Sequence, residues 1–145
     1  HMGTVIETEA ETRRLIESTN DDVKLLIDTG HMLFAGGNSI KLTEDFIDRI
    51  IHVHCKDIRK DILEKSLKNN STFRQAFLDG AFTVPGDGCI DYKPFLTVLK
   101  SKNYNGWLVV EAEQDPAKAN PFKYAKIGYN YLSKVAKECG FEIVS

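Results

Sequence analysis

The sequence is poor in cysteine, in unbalanced charge and in long apolar runs, and each shortage argues against a class of protein. Its 145 residues include three cysteines, Cys55, Cys89 and Cys139, without a CxxC pair, which argues against a disulfide framework or a zinc cage. The net charge of −2 gives no reason to expect nucleic acid or an anionic membrane as a partner. No apolar run approaches the roughly 18 residues of a membrane span.

The first residues also lack the features of a secretory signal. Residues 1–4 read HMGT, without the basic and apolar regions that such signals contain. With cysteines that form no pattern, this predicts a protein of the reducing cytoplasm. The composition is 42% hydrophobic and 28% charged, which predicts one soluble domain over residues 1–145.

Short apolar segments alternate with helix-forming segments along the chain. Strands are predicted at residues 23–28, 50–55 and 107–110, where runs of apolar residues are too short for helices. The glycines at 30, 36 and 37 predict a loop. Helices are predicted at residues 8–19, at 43–50 with Thr43 as N-cap, within 56–79 with a break near 69–71, at 94–99 behind an Asp91 N-cap, and at 121–136.

This order predicts an α/β fold with a parallel sheet, because the strands are apolar on both faces. Three strand–helix units behind a leading helix fit two architectures. One is a small doubly wound domain, and the other is half of a (β/α)8 TIM barrel, which needs about 250 residues when complete. A half-barrel leaves strand edges open, which predicts a homodimer through those edges.

Polar side chains with metal-binding capacity follow all three predicted strands. In a barrel the active site lies at the carboxyl ends of the strands, so the agreement of three strand ends is a stronger signal than any one motif. The residues concerned are Asp28 and His31 after the first strand, His52, His54, Lys56, Asp57 and Arg59 along and after the second, and Glu111, Glu113 and Asp115 after the third.

Alternation along the strands predicts which of these side chains meet. If Asp28, His54 and Glu111 point inward, they form a carboxylate–imidazole–carboxylate set. Such a set suits Mn²⁺ or Mg²⁺, and Co²⁺ or Zn²⁺ also fit. Taken singly, each residue has a structural interpretation: Asp28 as a helix N-cap, His54 as a core residue and Glu113 as a solvated loop residue. The segment 85–88, PGDG, predicts either an anion cradle or a plain turn.

The sequence resembles the xylose isomerase-like barrel superfamily, and within it the inosose dehydratases of inositol catabolism. The resemblance runs through most of the chain. It is carried by HMGT at 1–4, LLIDTGH at 25–31, FAGG at 34–37, IIHVHCKD at 50–57, FTVPGDGCIDY at 82–92 and GWLVVEAEQDPAKA at 106–119. The resemblance implies the carboxyl-terminal half of a TIM barrel, with the amino-terminal half absent.

The resemblance also implies site roles and a reaction. Asp28, His54 and Glu111 correspond to metal ligands, with Mn²⁺ or Co²⁺ expected and a thiol such as glutathione as a further cofactor. His31 and Lys56 are expected to orient hydroxyls or move protons, and Arg59 and Glu113 to bind substrate together with them. The implied reaction is metal-dependent dehydration of 2-keto-myo-inositol, a cyclic polyol ketone, by the full-length protein. Two alternatives stay open: a sugar isomerase or epimerase of the same superfamily, and an inactive fragment that self-associates.

Overall fold

The computed structural model describes residues 1–144, and its centre is a three-stranded parallel sheet. The strands are β1 (Leu25–Asp28), β2 (Ile50–Cys55) and β5 (Leu108–Val110), in the spatial order β1-β2-β5. Both pairings are parallel, as the sequence predicts. Within residues 1–144 this sheet does not close into a barrel, so the observed fold is an α/β half-barrel.

Helices connect the strands and add a second, smaller sheet. The helices are α1 (Glu9–Glu17), α2 (Thr29–Phe34), α3 (Ser39–Phe46) with a 3₁₀ turn (Ile47–Arg49), α4 (Lys60–Lys68), α5 (Phe73–Asp79), α6 (Tyr92–Ser101) and α7 (Pro121–Glu138). The strands β3 (Asp57–Ile58) and β4 (Phe82–Thr83) form a short antiparallel pair, which the sequence did not predict.

Local capping chemistry sets where several helices begin. Thr8 and Glu11 form a capping box at the start of α1, and Asp91 caps α6 as predicted. The Thr43 cap is wrong: α3 begins at Ser39, and Asn38 accepts hydrogen bonds from two backbone amides of its first turn. Thr43 instead lies inside α3, where its hydroxyl donates to the Ser39 carbonyl.

The loop predicted around the glycines at 30, 36 and 37 is also wrong in its first half, because residues 29–34 form α2. This helix begins directly at the end of β1. The predicted break between two helices near residues 69–71 is confirmed, since α4 ends at Lys68 and α5 begins at Phe73.

The main core lies between one face of the sheet and the helices. Ile27, Val53 and Cys55 are almost fully buried on this face, and they pack with apolar residues of α3, α6 and α7. Cys55 is therefore a buried apolar residue, as the strand alternation predicts.

The opposite face of the sheet is much less covered. Leu26 is 46% exposed and Ile51 is 60% exposed, and Trp107, just before β5, is 73% exposed. Ile51 is the extra residue of a β-bulge, because the register passes from Leu25↔Ile50 to Leu26↔His52. Among residues 1–144, no helix is long and apolar enough to span a membrane.

Candidate metal centre

The sheet register brings three predicted ligands together at its carboxyl end. Asp28 pairs with His54 across β1 and β2, and His54 pairs with Val109 across β2 and β5. Glu111 follows two residues after Val109 and so shares its face. The three strand ends that the sequence singles out therefore meet at one edge of the sheet, as they do in a barrel.

Asp28, His54 and Glu111 present their ligand atoms to a common point. One such atom from each lies within 4.8 Å of the others. Nδ1 of His54 stands 2.8 Å from Glu111 Oε2 and 3.8 Å from Asp28 Oδ2. Both of these oxygens are buried without a well-directed hydrogen bond. Buried carboxylate oxygens without hydrogen-bond partners are costly, so the residues fit a divalent cation that would satisfy them.

The Asp28 carboxylate caps α2 with one oxygen and faces the candidate site with the other. Its Oδ1 accepts a hydrogen bond of 2.9 Å from the His31 amide and so caps α2, while its Oδ2 faces His54 and Glu111. Burial raises the pKa of Asp28, and the nearby Lys56 ammonium only partly offsets this. The two oxygens therefore have separate tasks, one in the helix and one in the site.

The Lys56 side chain points into the same site and contacts its carboxylates. It is 1% exposed, and its Nζ lies 3.4 Å from Asp28 Oδ2, 3.0 Å from Glu111 Oε2 and 2.7 Å from Glu113 Oε2. Burial acts to lower the pKa of Lys56, but the surrounding carboxylates, Asp28 first, outweigh it and raise the pKa. Lys56 is therefore a hydrogen-bond donor and a fixed positive charge, and it is unsuited to act as a base.

The same ammonium affects Glu111. Burial acts to raise the pKa of Glu111, but the Lys56 ammonium, whose Nζ lies 3.0 Å from Glu111 Oε2, lowers it overall. Glu111 is therefore ionised in the site at neutral pH, which is the state that binds a cation.

Glu113 joins Lys56 to His31 and His1. Its Oε2 lies 3.1 Å from His31 Nε2, and its Oε1 lies 3.3 Å from His1 Nε2. Burial acts to raise the pKa of Glu113, but hydrogen bonds from His31 and Lys56 lower it to about 2. His31 is buried, and its Nε2 is 2.8 Å from Lys56 Nζ. His31, Lys56 and Glu113, all predicted as catalytic or substrate-binding residues, thus form one connected group beside the metal ligands.

A cavity of about 360 Å³ opens beside these groups. Small-molecule sites have volumes of this order. Its polar wall is made by the site residues and its apolar wall by residues of β1, α2 and α3; the lining includes His1, Asp28, His31, His54 and Glu111 with Leu26, Met32 and Leu42.

Arg59, also predicted to bind substrate, is not brought to this cluster. Its guanidinium bonds the Gly80 carbonyl at 2.7 Å, Thr83 Oγ1 at 3.1 Å and Asp87 Oδ2 at 2.6 Å. It also lines a separate cavity of about 240 Å³ together with Gln114. The contacts of Arg59 hold the segment between α5 and α6.

The PGDG segment at 85–88 does enclose an anion, and that anion is the side chain of Asp57. Asp57 Oδ1 accepts hydrogen bonds from the amides of Ile58 (2.8 Å) and Ile90 (2.9 Å), and Oδ2 accepts one from Gly86 (3.2 Å). Gly86 has a φ of +86°, a conformation that glycine adopts without strain. Burial raises the pKa of Asp57, and the backbone donors oppose this.

Comparison with known proteins assigns the family. The profile described as "Xylose isomerase-like TIM barrel" matches residues 1–135. The chain is 47% identical over 145 residues to the rhizopine catabolism protein MocC of Rhizobium meliloti, covering 100% of this chain and 45% of that protein. It is 50% identical over 135 residues to an inosose dehydratase of Bacillus licheniformis, covering 92% of this chain and 45% of that protein.

A further inosose dehydratase, from Histophilus somni, is 47% identical over 139 residues and is matched over 47% of its length. The solved structure of IOLI protein with a bound zinc atom has a similar fold, with a TM-score of 0.68 at 20% identity, covering 94% of this chain and 46% of that one. The chain thus spans about half the length of the proteins that it matches. By sequence and by fold, it belongs to the xylose isomerase-like TIM barrel family.

Proposed function

We propose that this chain is the metal-holding part of an enzyme that dehydrates 2-keto-myo-inositol to a trihydroxycyclohexanedione in inositol catabolism. The observation that carries the proposal is the group Asp28, His54 and Glu111, in which buried oxygens of two carboxylates lie 3.8 Å and 2.8 Å from the same imidazole nitrogen. Relatives named inosose dehydratase, 47–50% identical, support it. Because those relatives are about twice as long, the activity is proposed for the whole protein, and the chain alone is expected to be inactive.

In this proposal Asp28, His54 and Glu111 hold a divalent ion, and the resemblance to the inosose dehydratases implies Mn²⁺ or Co²⁺. A fourth ligand is expected from a strand outside these 145 residues. When bound, such an ion polarises the ketone of the substrate and acidifies the neighbouring C–H group. A thiol cofactor such as glutathione stays a prediction.

The remaining residues of the site act on the oxygens of the substrate. Dehydration removes the proton next to the ketone and expels the β-hydroxyl as water, which gives the enol of the dione. The Lys56 ammonium donates hydrogen bonds to oxygens that gain negative charge in this step. His31, whose Nε2 lies 2.8 Å from Lys56 Nζ, orients a hydroxyl or carries its proton, and Glu113 fixes the orientation of both side chains.

The test uses a hybrid that restores full length. This chain replaces the matching half of the Bacillus licheniformis relative, and the purified hybrid is incubated with 2-keto-myo-inositol and Mn²⁺. We expect dione formation, with a loss of at least about a thousandfold in Asp28→Ala because a ligand of the reacting centre is removed. The control is Glu64→Ala, an exposed carboxylate on α4 outside the ligand group, which should retain activity.

The isomerase or epimerase alternative is decided in the same experiment. In deuterated water, a folded hybrid that incorporates solvent deuterium into the substrate without losing water would contradict the dehydratase proposal and support that alternative. A folded hybrid that does neither, although it binds Mn²⁺, would contradict both.

We also propose that the isolated chain self-associates as a homodimer through its open sheet. The edges of β1 and β5 have no strand partner among residues 1–144, and Leu26 on β1 and Trp107 just before β5 are exposed. Exposed edges and apolar surface of this kind pair with another chain. Sedimentation velocity should show a dimer that Trp107→Asp weakens, whereas Phe122→Asp on α7 serves as the control; a wild-type monomer would contradict the proposal.

A further inference from the structure

Two buried hydroxyl groups converge on the main chain of Lys56. The hydroxyl of Thr29 lies 2.8 Å from the Lys56 carbonyl oxygen, and that of Tyr92 lies 2.9 Å from it. The two hydroxyls are 2.8 Å apart. Thr29 is 1% exposed and Tyr92 is fully buried. A carbonyl oxygen has two lone pairs, so it can accept both hydroxyl hydrogens.

The position of this carbonyl explains why side-chain hydroxyls, and not backbone amides, donate hydrogen bonds to it. β2 ends at Cys55, so Lys56 lies beyond the ladder between β1 and β2, and its buried carbonyl needs another donor. Thr29 is the first residue of α2 and Tyr92 is the first residue of α6. The two hydroxyls, which we call the hydroxyl clamp, therefore join two helix starts to the end of the central strand.

Neighbouring residues confine the Lys56 side chain once its main chain is held. A Cβ on Gly30 would stand 2.8 Å from Lys56 Cγ, so the glycine makes room for the lysine stem. The Phe82 ring lies on another side, with its centroid 5.6 Å from Nζ. Within this channel Nζ reaches Glu111 at 3.0 Å and Glu113 at 2.7 Å. The place of the ammonium thus depends on where the Lys56 main chain is fixed.

We propose that Tyr92 and Thr29 are positioning residues: by holding the Lys56 carbonyl, they set where its ammonium lies among the carboxylates and so tune the affinity of the site for a divalent cation. This inference rests on the proposed metal site. The ammonium and a divalent cation compete for the same oxygens, Asp28 Oδ2 and Glu111 Oε2. Releasing the clamp lets the ammonium move away, and a cation then binds more tightly.

The sign of this effect separates positioning from a merely structural role. A structural defect loosens the ligands and weakens cation binding, whereas loss of the clamp removes a competitor and strengthens it. Tyr92→Phe and Thr29→Val each remove a hydroxyl with little change of shape, and Thr29→Ser retains the hydroxyl as the matched control. Lys56→Gln gives the limit in which the competing charge is absent.

Calorimetric titration of the full-length hybrid with Mn²⁺ is the first arm of the test, because a fourth ligand is expected from outside these 145 residues. We expect Lys56→Gln to bind on the order of tenfold more tightly, as for removal of a charge within 4–6 Å of the ligands. Tyr92→Phe and Thr29→Val should bind about threefold more tightly and Thr29→Ser should match the wild type, a partial effect of the same charge interaction. In the Lys56→Gln background, Tyr92→Phe should have no further effect, because coupled residues are not additive.

The second arm of the test measures the environment of the Lys56 ammonium by NMR and needs no metal. In protein carrying ¹⁵N- and ¹³C-labelled lysine, the side-chain signal of Lys56, assigned by its loss in Lys56→Gln, should shift in Tyr92→Phe and Thr29→Val but not in Thr29→Ser. An unshifted signal, weaker Mn²⁺ binding, or an equal effect of Tyr92→Phe in both backgrounds would overturn the inference. If the wild type binds no Mn²⁺, the proposed metal site fails, and the signal alone then decides whether the clamp positions Lys56.

Discussion

Asp28 is largely buried and Asp57 is fully buried at the carboxyl end of the sheet, and burial raises the pKa of both. Their carboxylate oxygens differ in the hydrogen bonds that they accept. Both oxygens of Asp57 accept backbone hydrogen bonds, from Ile58, Ile90 and Gly86. Only one oxygen of Asp28 does so, and the other is left facing His54. A fully bonded carboxylate holds a loop in place, whereas a half-bonded one keeps an oxygen free for a ligand.

Lys56 and Arg59, two positively charged residues, differ in their partners in the same way as the two aspartates. The Arg59 guanidinium is bound to a backbone carbonyl, a hydroxyl and the Asp87 carboxylate. The Lys56 ammonium is paired with the carboxylates and the imidazole of the candidate site. Arg59 thus stabilises a loop, whereas Lys56 lies in the candidate site, although the two residues are only three positions apart.

The largest expected loss of stability follows replacement of Asp57. Asp57→Ala leaves the amides of Ile58, Gly86 and Ile90 without their acceptor, and should lower the free energy of unfolding by about 3–4 kcal/mol. Asp28→Ala loses one helix cap but relieves an unsatisfied buried oxygen, and should cost about 1 kcal/mol. Urea unfolding followed by circular dichroism measures both. Equal losses would mean that the two aspartates do not differ as their hydrogen bonds indicate.

Stabilisation by a bound metal ion should depend on Asp28 and not on Asp57. Mn²⁺ at about a hundred times its dissociation constant should raise the free energy of unfolding of the wild type by about 2.7 kcal/mol. Asp28→Ala and His54→Ala should abolish this gain, because they remove candidate ligands, and Asp57→Asn should retain it. Glu64→Ala, which removes an exposed carboxylate on α4, is the control. A gain that survives both Asp28→Ala and His54→Ala would place the ion elsewhere.

Arg59 should matter for stability and not for the metal. Arg59→Ala removes hydrogen bonds to Gly80, Thr83 and Asp87, and should lower the free energy of unfolding by about 2 kcal/mol. Its Mn²⁺ affinity should stay at the wild-type value in calorimetry. A change in that affinity larger than about fivefold, or roughly 1 kcal/mol, would join Arg59 to the site after all.

The smallest effect concerns Glu113 and pH. Its pKa is lowered from 4.5 to about 2 in the folded chain. A carboxylate with a lowered folded pKa stabilises the protein above its unfolded pKa, and this contribution is lost as pH falls through the folded pKa. Wild type should therefore exceed Glu113→Gln by about 1 kcal/mol at pH 6, allowing for solvent screening, and the gap should close between pH 4.5 and 2. A gap independent of pH would show that Glu113 acts by shape and not by charge.

Strand alternation and the meeting of strand ends predicted where Asp28, His54 and Glu111 would lie, because their positions follow from backbone geometry within single strands. The α/β class and the parallel sheet followed from the same apolar segments. Whether these three residues bind metal stays a prediction.

Contacts across long separations could not be predicted in this way. The bonds from Asp57 to Gly86 and Ile90 span 29 and 33 residues, and the bond from Tyr92 to Lys56 spans 36. Nothing in the local pattern around Asp57 or Tyr92 indicates such partners. Thr43 failed as a cap because Asn38, five residues earlier, offers the same capping chemistry.

The bulge at Ile51 has a consequence for how this sheet tolerates length changes. A one-residue slip normally turns every following side chain to the other face of a strand. Here the extra residue comes before His52 and His54, so the two histidines keep the phase of Leu26 and Asp28. Deleting Ile51 would remove the bulge without changing that phase, whereas an insertion between His52 and His54 would turn His54 into the core. The upstream end of this strand therefore tolerates a change of length, and the stretch between His52 and His54 does not.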